Sequence, residues 1–375
     1  MHEKRRGVRI FGATALLAAM APVGVARVAA QNTPLISGGV GFITSTNGGN
    51  TTYIPVISPL LAAPLGNHIL VESRATIANS YFPKGGGQPG YTSSSFLGLS
   101  YLQMDYIATP HLTVVAGEFL IPFATYNERL TPIWISDFGS APLIFPLGNM
   151  ETASGVGGMI RGSAFSSEKL SLDYAGYFSA ASTNEQFNSE RSSGGRVSLY
   201  VPRASLEIGA SYGRLLQNTH QNFEGVHLWW EPADAIVKLR SEYAHGQHSQ
   251  GYWMESEFHL TRSTSANMFR RGLQPVFRWQ QTFRSSPDSS DGLPSANTNQ
   301  ADFGLDFHFP HEVRINSSYS RQFSLNFLAP ALSGDAGRWP ASAWRAAPGA
   351  SCGRSLRAEK AGRVASVISS TAKNT

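Results

Sequence analysis

Apolar and polar residues alternate along most of this chain, from about Ile36 to Phe323, in runs of eight to fourteen residues separated by turn clusters. Residues 302–309 show the pattern most clearly. The two faces of this run are Phe303, Leu305, Phe307 and Phe309, and Asp302, Gly304, Asp306 and His308. Because successive side chains of a strand point to opposite faces, the alternation predicts β-strands with one apolar and one polar face.

About fifteen such strands are predicted, so the fold class is all-β. Their approximate bounds are residues 35–44, 51–62, 67–79, 95–107, 111–122, 154–165, 168–180, 194–202, 204–215, 221–231, 234–245, 251–262, 272–283, 299–309 and 312–323. Strands of soluble sandwiches average roughly five or six residues, whereas membrane-crossing strands need about 9 to 11. The observed lengths favour a transmembrane antiparallel up-and-down β-barrel over a soluble sandwich. Because bacterial barrels have even strand numbers, we expect about 16 strands, with the last one lost or replaced.

Adjacent aromatic residues lie near several predicted strand ends, at Tyr81-Phe82, Trp229-Trp230 and Tyr252-Trp253. Tyr, Trp and Phe gather at both interfaces of a membrane barrel. We therefore interpret these pairs as parts of aromatic girdles.

The first 30 residues predict a cleaved signal peptide. Basic residues within 4–9 precede the apolar run 10–26, and Val28-Ala29-Ala30 supplies a small-residue cleavage pattern. After this segment the apolar runs are only a handful of residues long, whereas a membrane-spanning helix requires about 20. Only a closed barrel would then cross a bilayer. We expect an exported protein of the Gram-negative outer membrane.

The formal net charge of +5 is concentrated at the two ends of the chain. Residues 1–30 contain five basic and one acidic side chains, and residues 327–375 contain seven and two, which leaves 18 basic and 22 acidic residues between them. The body therefore has a net charge of −4 and carries no basic nucleic-acid footprint. The single cysteine, Cys352, has no internal partner for a disulfide, which both a barrel and a large sandwich tolerate.

We divide the chain into a signal peptide at 1–30, a barrel at 31–326 and an aberrant tail at 327–375. The tail is rich in Ala, Arg, Gly and Ser and has no alternation, so we predict that it is disordered. Two explanations fit: a frameshift or divergence that replaced the last strand, or a natural appendage after a strand near residues 324–332. The other reading frames of the gene distinguish them, because a frameshift would leave there a strand ending in Phe.

Residues 123–153 form a long predicted loop that is unusually apolar. Its apolar members include Trp134, Ile135, Phe138, Leu143, Ile144, Phe145 and Leu147. Long loops are usually functional, and an apolar loop on an outer surface favours aggregation. We therefore expect the loop to fold inward and narrow the lumen; the alternative is an irregular cap that merely plugs the mouth. The constriction candidates are Tyr126, Glu128, Arg129, Trp134 and Asp137.

Charged residues of both signs recur on the polar faces of the predicted strands. The pore-lining candidates are Glu72, Arg74, Asp173, Glu207, Lys238, Arg240, Glu242, Glu255, Glu257, Arg278, Asp302, Asp306 and Arg314. Such mixed charges predict a general or weakly selective pore. Nucleophile motifs, phosphate-binding loops and metal-ligand spacings do not stand out, so we expect no enzyme activity, catalytic residue, metal or cofactor. A hydrolase with Ser and His at the barrel rim is a weaker alternative, because no particular trio is singled out.

Residues 117–130, which read Gly-Glu-Phe-Leu-Ile-Pro-Phe-Ala-Thr-Tyr-Asn-Glu-Arg-Leu, and the following Trp134-Ile135 resemble a stretch of Gram-negative outer-membrane porins related to the phosphate-selective porin family. Residues 36–42 and 70–74 fit as well, and the resemblance covers roughly residues 33–323. It implies a sixteen-stranded, trimeric barrel with a constriction loop, which passes small solutes by diffusion. Phosphate selectivity does not follow, because the lumen candidates mix both signs of charge. Family barrels also close with an aromatic-ended strand, which is not apparent soon after Phe323.

We therefore expect a passive diffusion porin for small polar solutes or ions, as a homotrimer in contact with outer-membrane lipid and lipopolysaccharide. No nucleic-acid partner is expected. The alternative is a non-conducting outer-membrane barrel with a structural, assembly or surface-interaction role. Inward charges favour the pore, because a sealed barrel would not need a polar interior along its whole length.

Overall fold

The computed structural model describes residues 33–47, 49–85, 88–132, 134–145, 154–183, 188–217, 220–233, 235–259, 272–285, 293–294, 296–309, 313–323 and 363–372. The signal peptide predicted at 1–30 lies outside them. Within the described residues, no helix is both long enough and apolar enough to cross a membrane.

Strands account for nearly all of the regular structure in these ranges. In chain order they are β1 (Leu35–Asn47), β2 (Asn50–Leu65), β3 (Ile69–Pro83), β4 (Tyr91–Thr109), β5 (Leu112–Leu120), β6 (Ser154–Ser166), β7 (Ser171–Ala180), β8 (Ser182–Thr183), β9 (Asn188–Ser189), β10 (Ser192–Val201), β11 (Leu206–Leu215), β12 (Asn222–Trp230), β13 (Val237–His245), β14 (Ser249–Phe258), β15 (Leu273–Arg284), β16 (Thr298–His308), β17 (Val313–Phe323) and β18 (Arg363–Ala372). Helix α1 spans Tyr126–Arg129 and a 3-10 helix spans Pro202–Ala204.

Sixteen of the described strands form one antiparallel sheet, and β8 and β9 form a separate two-stranded sheet. Successive strands of the large sheet pair with each other, with β7 next to β10 because β8 and β9 lie outside this sheet. The first strand, β1, pairs with both β2 and β18. Val40 of β1, for example, lies opposite Ile57 on one side and Ser370 on the other. The sheet therefore closes on itself, and the prediction of an all-β up-and-down barrel is confirmed.

The last strand differs from the prediction. Arg363–Ala372 lies between β1 and β17, with Ile368 opposite both Phe42 and Ile315. Of the two alternatives for the last strand, loss is therefore wrong, whereas replacement by part of 327–375 agrees with this pairing. The predicted disorder of the tail does not hold for Arg363–Ala372. The alternation pattern did not predict this strand, because Val367 and Ile368 are adjacent, whereas the apolar residues of an alternating strand are separated by polar ones. Residues 324–362, which include the strand considered near 324–332, lie outside the described residues.

The two faces of the barrel wall differ in polarity. Phe303 and Leu305 of β16 point outward and are 54% and 46% exposed, whereas Asp302 and Asp306 point inward and are fully buried. Other exposed apolar residues of the outer wall include Ile36, Val40, Ile77, Leu97, Val114, Ile160, Val197, Ile208, Val226 and Met254. A barrel surrounded by lipid requires this apolar outer face and polar interior.

Two aromatic residues assigned to girdles lie inside the barrel. Trp253 is fully buried and its Nε1 donates a hydrogen bond to Glu242, 3.2 Å away. Trp229 packs against the buried apolar cluster. Because adjacent residues of a strand face opposite ways, one tryptophan of each of the pairs Trp229-Trp230 and Tyr252-Trp253 points inward. The girdle interpretation is therefore wrong for these two tryptophans.

Candidate functional site

The loop between β5 and β6 lies inside the barrel, against the inner wall. Its described part comprises residues 121–132 and 134–145. Hydrogen bonds join it to inward-facing residues of β10, β11, β13, β15 and β17. The loop therefore covers the wall from β10 to β17.

Glu242 of β13 is the first anchor of this loop. Its Oε1 accepts hydrogen bonds from the Thr125 N–H at 2.7 Å, the Thr125 hydroxyl at 2.5 Å and the Tyr126 N–H at 2.8 Å. Its Oε2 accepts the bond from Trp253. The Glu242 residue is only 1% exposed. Because hydrogen bonds to an ionised acceptor are strong, these donors replace the water that the carboxylate loses on burial.

Asp137 is the second anchor, and it reaches from the loop to the wall. Its Oδ2 accepts a hydrogen bond from Arg240 Nη1 at 2.6 Å, and its Oδ1 accepts one from Arg314 Nη2. Burial alone would raise the pKa of the Asp137 carboxyl, but the two guanidinium groups lower it by more, so this pKa lies below its ordinary value. The carboxylate therefore stays ionised and clamps the loop between two strands.

We expect the Asp137 clamp to hold down to acidic pH. Because the folded-state pKa is lowered, the stabilisation is complete above the ordinary pKa of about 3.9 and is lost as the pH falls through the lowered value. Asp137→Asn should lower the free energy of unfolding by about 3 kcal/mol at neutral pH, because two buried arginines lose this anionic partner.

Thermal unfolding of the wild type and Asp137→Asn, measured from about pH 7 to about pH 3, checks this expectation. The difference between the two proteins should stay constant down to about pH 4 and shrink below it. A difference that already shrinks near neutral pH would contradict the lowered pKa.

The far end of the loop docks on β15. Arg278 Nη2 donates a hydrogen bond to the Ser140 carbonyl at 2.9 Å, and Gln280 Oε1 accepts one from the Leu143 N–H at 2.6 Å. Asp302 accepts from both wall residues, at 2.8 Å from Arg278 Nε and 2.6 Å from Gln280 Nε2. The buried carboxylate thus orients the two side chains that hold the loop.

Glycines of the inner wall make room for apolar side chains of the loop. At each of four wall positions, an added Cβ would contact a loop side chain. The pairs are Gly39 with Trp134, Gly225 with Phe123 (3.1 Å), Gly251 with Ile144 (3.1 Å) and Gly304 with Phe138 (3.0 Å). The alternation puts Gly304 on the polar face of its strand, and no function was predicted for this residue. A glycine at an inward position of an alternating strand is the signal of such a close approach.

Tyr126 lies in the apolar core between loop and wall. Its ring centroid is 4.6 Å from that of Phe145 and 5.9 Å from that of Trp253, both in edge-on geometry. Burial raises the pKa of the Tyr126 hydroxyl to about 12, so the side chain stays neutral. This constriction candidate packs the loop onto the wall.

A cavity of about 520 Å³ lies between the loop and strands β3 to β7, β10 and β11. Its charged lining residues are Arg74, Arg129, Arg161, Arg196, Glu72, Glu128, Asp173 and Glu207. These four arginines and four carboxylates give a lining charge of zero. The shortest ion pairs are Arg129–Glu207 at 2.9 Å, Arg196–Glu128 at 2.6 Å and Arg161–Asp105.

Only some of the predicted pore-lining residues face this cavity. Those that do are Glu72, Arg74, Asp173 and Glu207. Eight others are buried in the inner wall: Arg240, Glu242, Glu255, Glu257, Arg278, Asp302, Asp306 and Arg314. Lys238 lies 3.8 Å from Glu257 and is partly exposed. Alternation indicates which face is inward, but it does not show which inward residues a loop will cover.

The constriction candidates divide in the same way. Glu128 and Arg129 line the cavity, whereas Tyr126, Trp134 and Asp137 pack against the wall.

Two cavity arginines, Arg161 and Arg196, were absent from the sequence-based candidates. Each stands beside an outward apolar residue, Ile160 or Val197, and this neighbour is the signal that could have found them.

One group of Ser, His and Glu side chains on the inner wall tests the alternative of a hydrolase. His227 Nε2 lies 3.4 Å from Ser198 Oγ and 3.2 Å from Glu207 Oε1. A catalytic triad instead places the hydroxyl and the carboxylate on opposite ring nitrogens. The trio therefore does not have the geometry of a triad. Among the described residues, no cluster of His, Cys, Asp or Glu could hold a metal ion.

Comparison with known proteins gives matches at the level of structure only. No protein-family model and no curated protein matches the sequence. Salmonella typhi OmpF in complex with daunomycin is 10% identical with a TM-score of 0.56, over 91% of this chain and 98% of that chain. The anion-selective porin from Comamonas acidovorans is 10% identical with a TM-score of 0.51, over 91% and 99%. OmpT from Vibrio cholerae, in a trimer form, is 8% identical with a TM-score of 0.53, over 91% and 99%.

Identities this low carry information on the fold alone. The resemblance to the phosphate-selective family stays a prediction, because these three structures do not test it. The fold of this chain is that of the outer-membrane porins.

Proposed function

We propose that this protein is an outer-membrane porin through which small polar solutes or ions diffuse passively. The path runs through the cavity between the inner loop and strands β3 to β7. The observation that carries the proposal is the open, charged lining of this cavity. Fixed charges of both signs lower the barrier to a polar solute without holding it tightly.

The proposal includes export by a signal peptide at residues 1–30 and assembly as a homotrimer in contact with lipid and lipopolysaccharide. The apolar outer wall supports the lipid contact. The trimer form of the structurally similar Vibrio protein is consistent with a trimer here.

Refolded protein should produce discrete conductance steps in a planar lipid bilayer. Under a KCl gradient, we expect a reversal potential close to zero, because the charged lining residues balance. Thr113→Trp should lower the step size, because Thr113 lines the cavity and the indole would occupy part of it. Thr183→Trp, in the small β8–β9 sheet, is the matched control and should keep the wild-type step size.

The absence of steps from correctly folded protein would favour the non-conducting barrel. Steps that Thr113→Trp leaves unchanged would mean that solutes take another path.

A further inference from the structure

Arg74 differs from the other arginines of the cavity. Arg129, Arg161 and Arg196 each form an ion pair with a carboxylate. Arg74 is only 5% exposed, yet within the described part of the chain neither a carboxylate nor a hydrogen-bond acceptor contacts its guanidinium. The side chain lies instead over the ring of Tyr101, 5.3 Å from its centroid. A nearly buried guanidinium at the cavity wall thus has no anionic partner among the described residues.

The backbone at this point holds the two side chains together. Arg74 of β3 lies opposite Tyr101 of β4, but the next pair is Ala75 with Leu99, so Ser100 is an extra residue on β4. Such a β-bulge re-aims the neighbouring side chains, and bulges are over-represented beside functional sites. Both Arg74 and Tyr101 line the cavity.

The chemistry of an unpaired guanidinium selects its ligand. Its planar fork of N–H donors matches two oxygens of a carboxylate or phosphate group, and its charge is poorly solvated when buried. We propose that Arg74, supported by Tyr101, is a binding subsite for the oxyanion group of a solute that passes through the cavity. This inference rests on the proposed porin function and adds a solute class to it.

Carboxylates near the subsite keep the binding weak. Glu72 is two residues from Arg74 on the same face of β3, and Asp173 lines the same cavity. Their negative charges repel an anion at Arg74. Conduction requires such a balance, because a solute must bind well enough to enter and weakly enough to leave.

Channel block by oxyanions tests the subsite. Single-channel currents of the full chain in KCl are recorded while either acetate or inorganic phosphate is added. The subsite predicts a saturable fall of the single-channel current as the anion is added. The anion concentration that gives half of this block should rise about ten-fold or more in Arg74→Gln. Arg74→Lys keeps the charge but loses the fork, so it should give an intermediate shift. Arg203→Gln, on the 3-10 helix outside the cavity, should match the wild type.

The two added anions distinguish the source of the oxyanion. Block by acetate alone assigns the subsite to carboxylates, block by phosphate alone assigns it to phosphates, and block by both assigns it to the shared geometry. Conducting channels that neither anion blocks, or block that is equal in Arg74→Gln and the wild type, would overturn the subsite while leaving the porin function intact. Folded protein without any conductance would instead overturn the porin function itself.

Discussion

Glu242→Gln should free the inner loop and turn a steady channel into one with frequent brief closures. A single Glu242 oxygen accepts three hydrogen bonds from Thr125 and Tyr126. Glutamine has no negative charge, so the bonds that its amide oxygen can still accept are weaker. Its NH₂ group, at the place of the second oxygen, cannot accept the bond from Trp253 Nε1. Because hydrogen bonds to charged groups contribute about 1.5–3 kcal/mol each, we expect the loop anchor to weaken by at least about 3 kcal/mol. The freed segment, which includes Glu128 and Arg129, would then move into the cavity.

Single-channel recording measures this effect as brief closures, which add noise to the current of the open channel, and thermal unfolding measures the loss of stability. Glu168→Gln, an equal change on the exposed turn between β6 and β7, is the control and should behave like the wild type. Unaltered noise together with an unaltered unfolding temperature would show that Glu242 does not anchor the loop.

Removing residues 363–375 should prevent assembly of the barrel. β18 pairs with β1 from Gly38 to Thr46 and with β17 from Val313 to Ser320. Without it both neighbours would present unpaired backbone N–H and C=O groups, each of which costs several kcal/mol inside a bilayer. A disordered tail, in contrast, would be dispensable.

Refolding into detergent micelles or lipid vesicles, followed by heat-dependent mobility on a denaturing gel and by protease protection, measures assembly. Deletion of residues 373–375 alone is the control, because it leaves β18 intact. If the longer deletion refolds as well as this control, β18 is not the closing strand.

Alternation predicted the barrel because the lipid and the lumen impose opposite polarities on successive residues. The fifteen predicted strands correspond to β1–β7 and β10–β17, with bounds that differ by several residues at some ends. The predicted strand 95–107, for example, is Tyr91–Thr109 in the structure. The pattern did not predict β18, because two apolar residues, Val367 and Ile368, are adjacent there and interrupt the alternation. What identifies β18 is its pairing with two neighbouring strands, β1 and β17.

The site was less predictable than the fold because it depends on contacts between segments that are distant in sequence. The pattern placed Arg240 and Asp302 on the inward face, where the structure has them buried. No pattern in the local sequence shows that Asp137 pairs with Arg240 and Arg314. The local sequence also does not show that Gly304 lies against the ring of Phe138. The free guanidinium of Arg74 is likewise visible only once the partners of its neighbours are known.

The sequence separation of the loop anchors has a consequence for the order of assembly. Thr125 precedes Glu242 by 117 residues, and Asp137 precedes Arg314 by 177 residues. Contacts this distant form late, because the intervening chain must first be ordered. We therefore expect the loop to stay undocked until β13 and β17 have joined the wall. At that stage the lumen of the assembling barrel would be wider than that of the finished one, because the loop does not yet fill part of it. Protection of the loop from proteolysis would then report the moment at which the wall is complete.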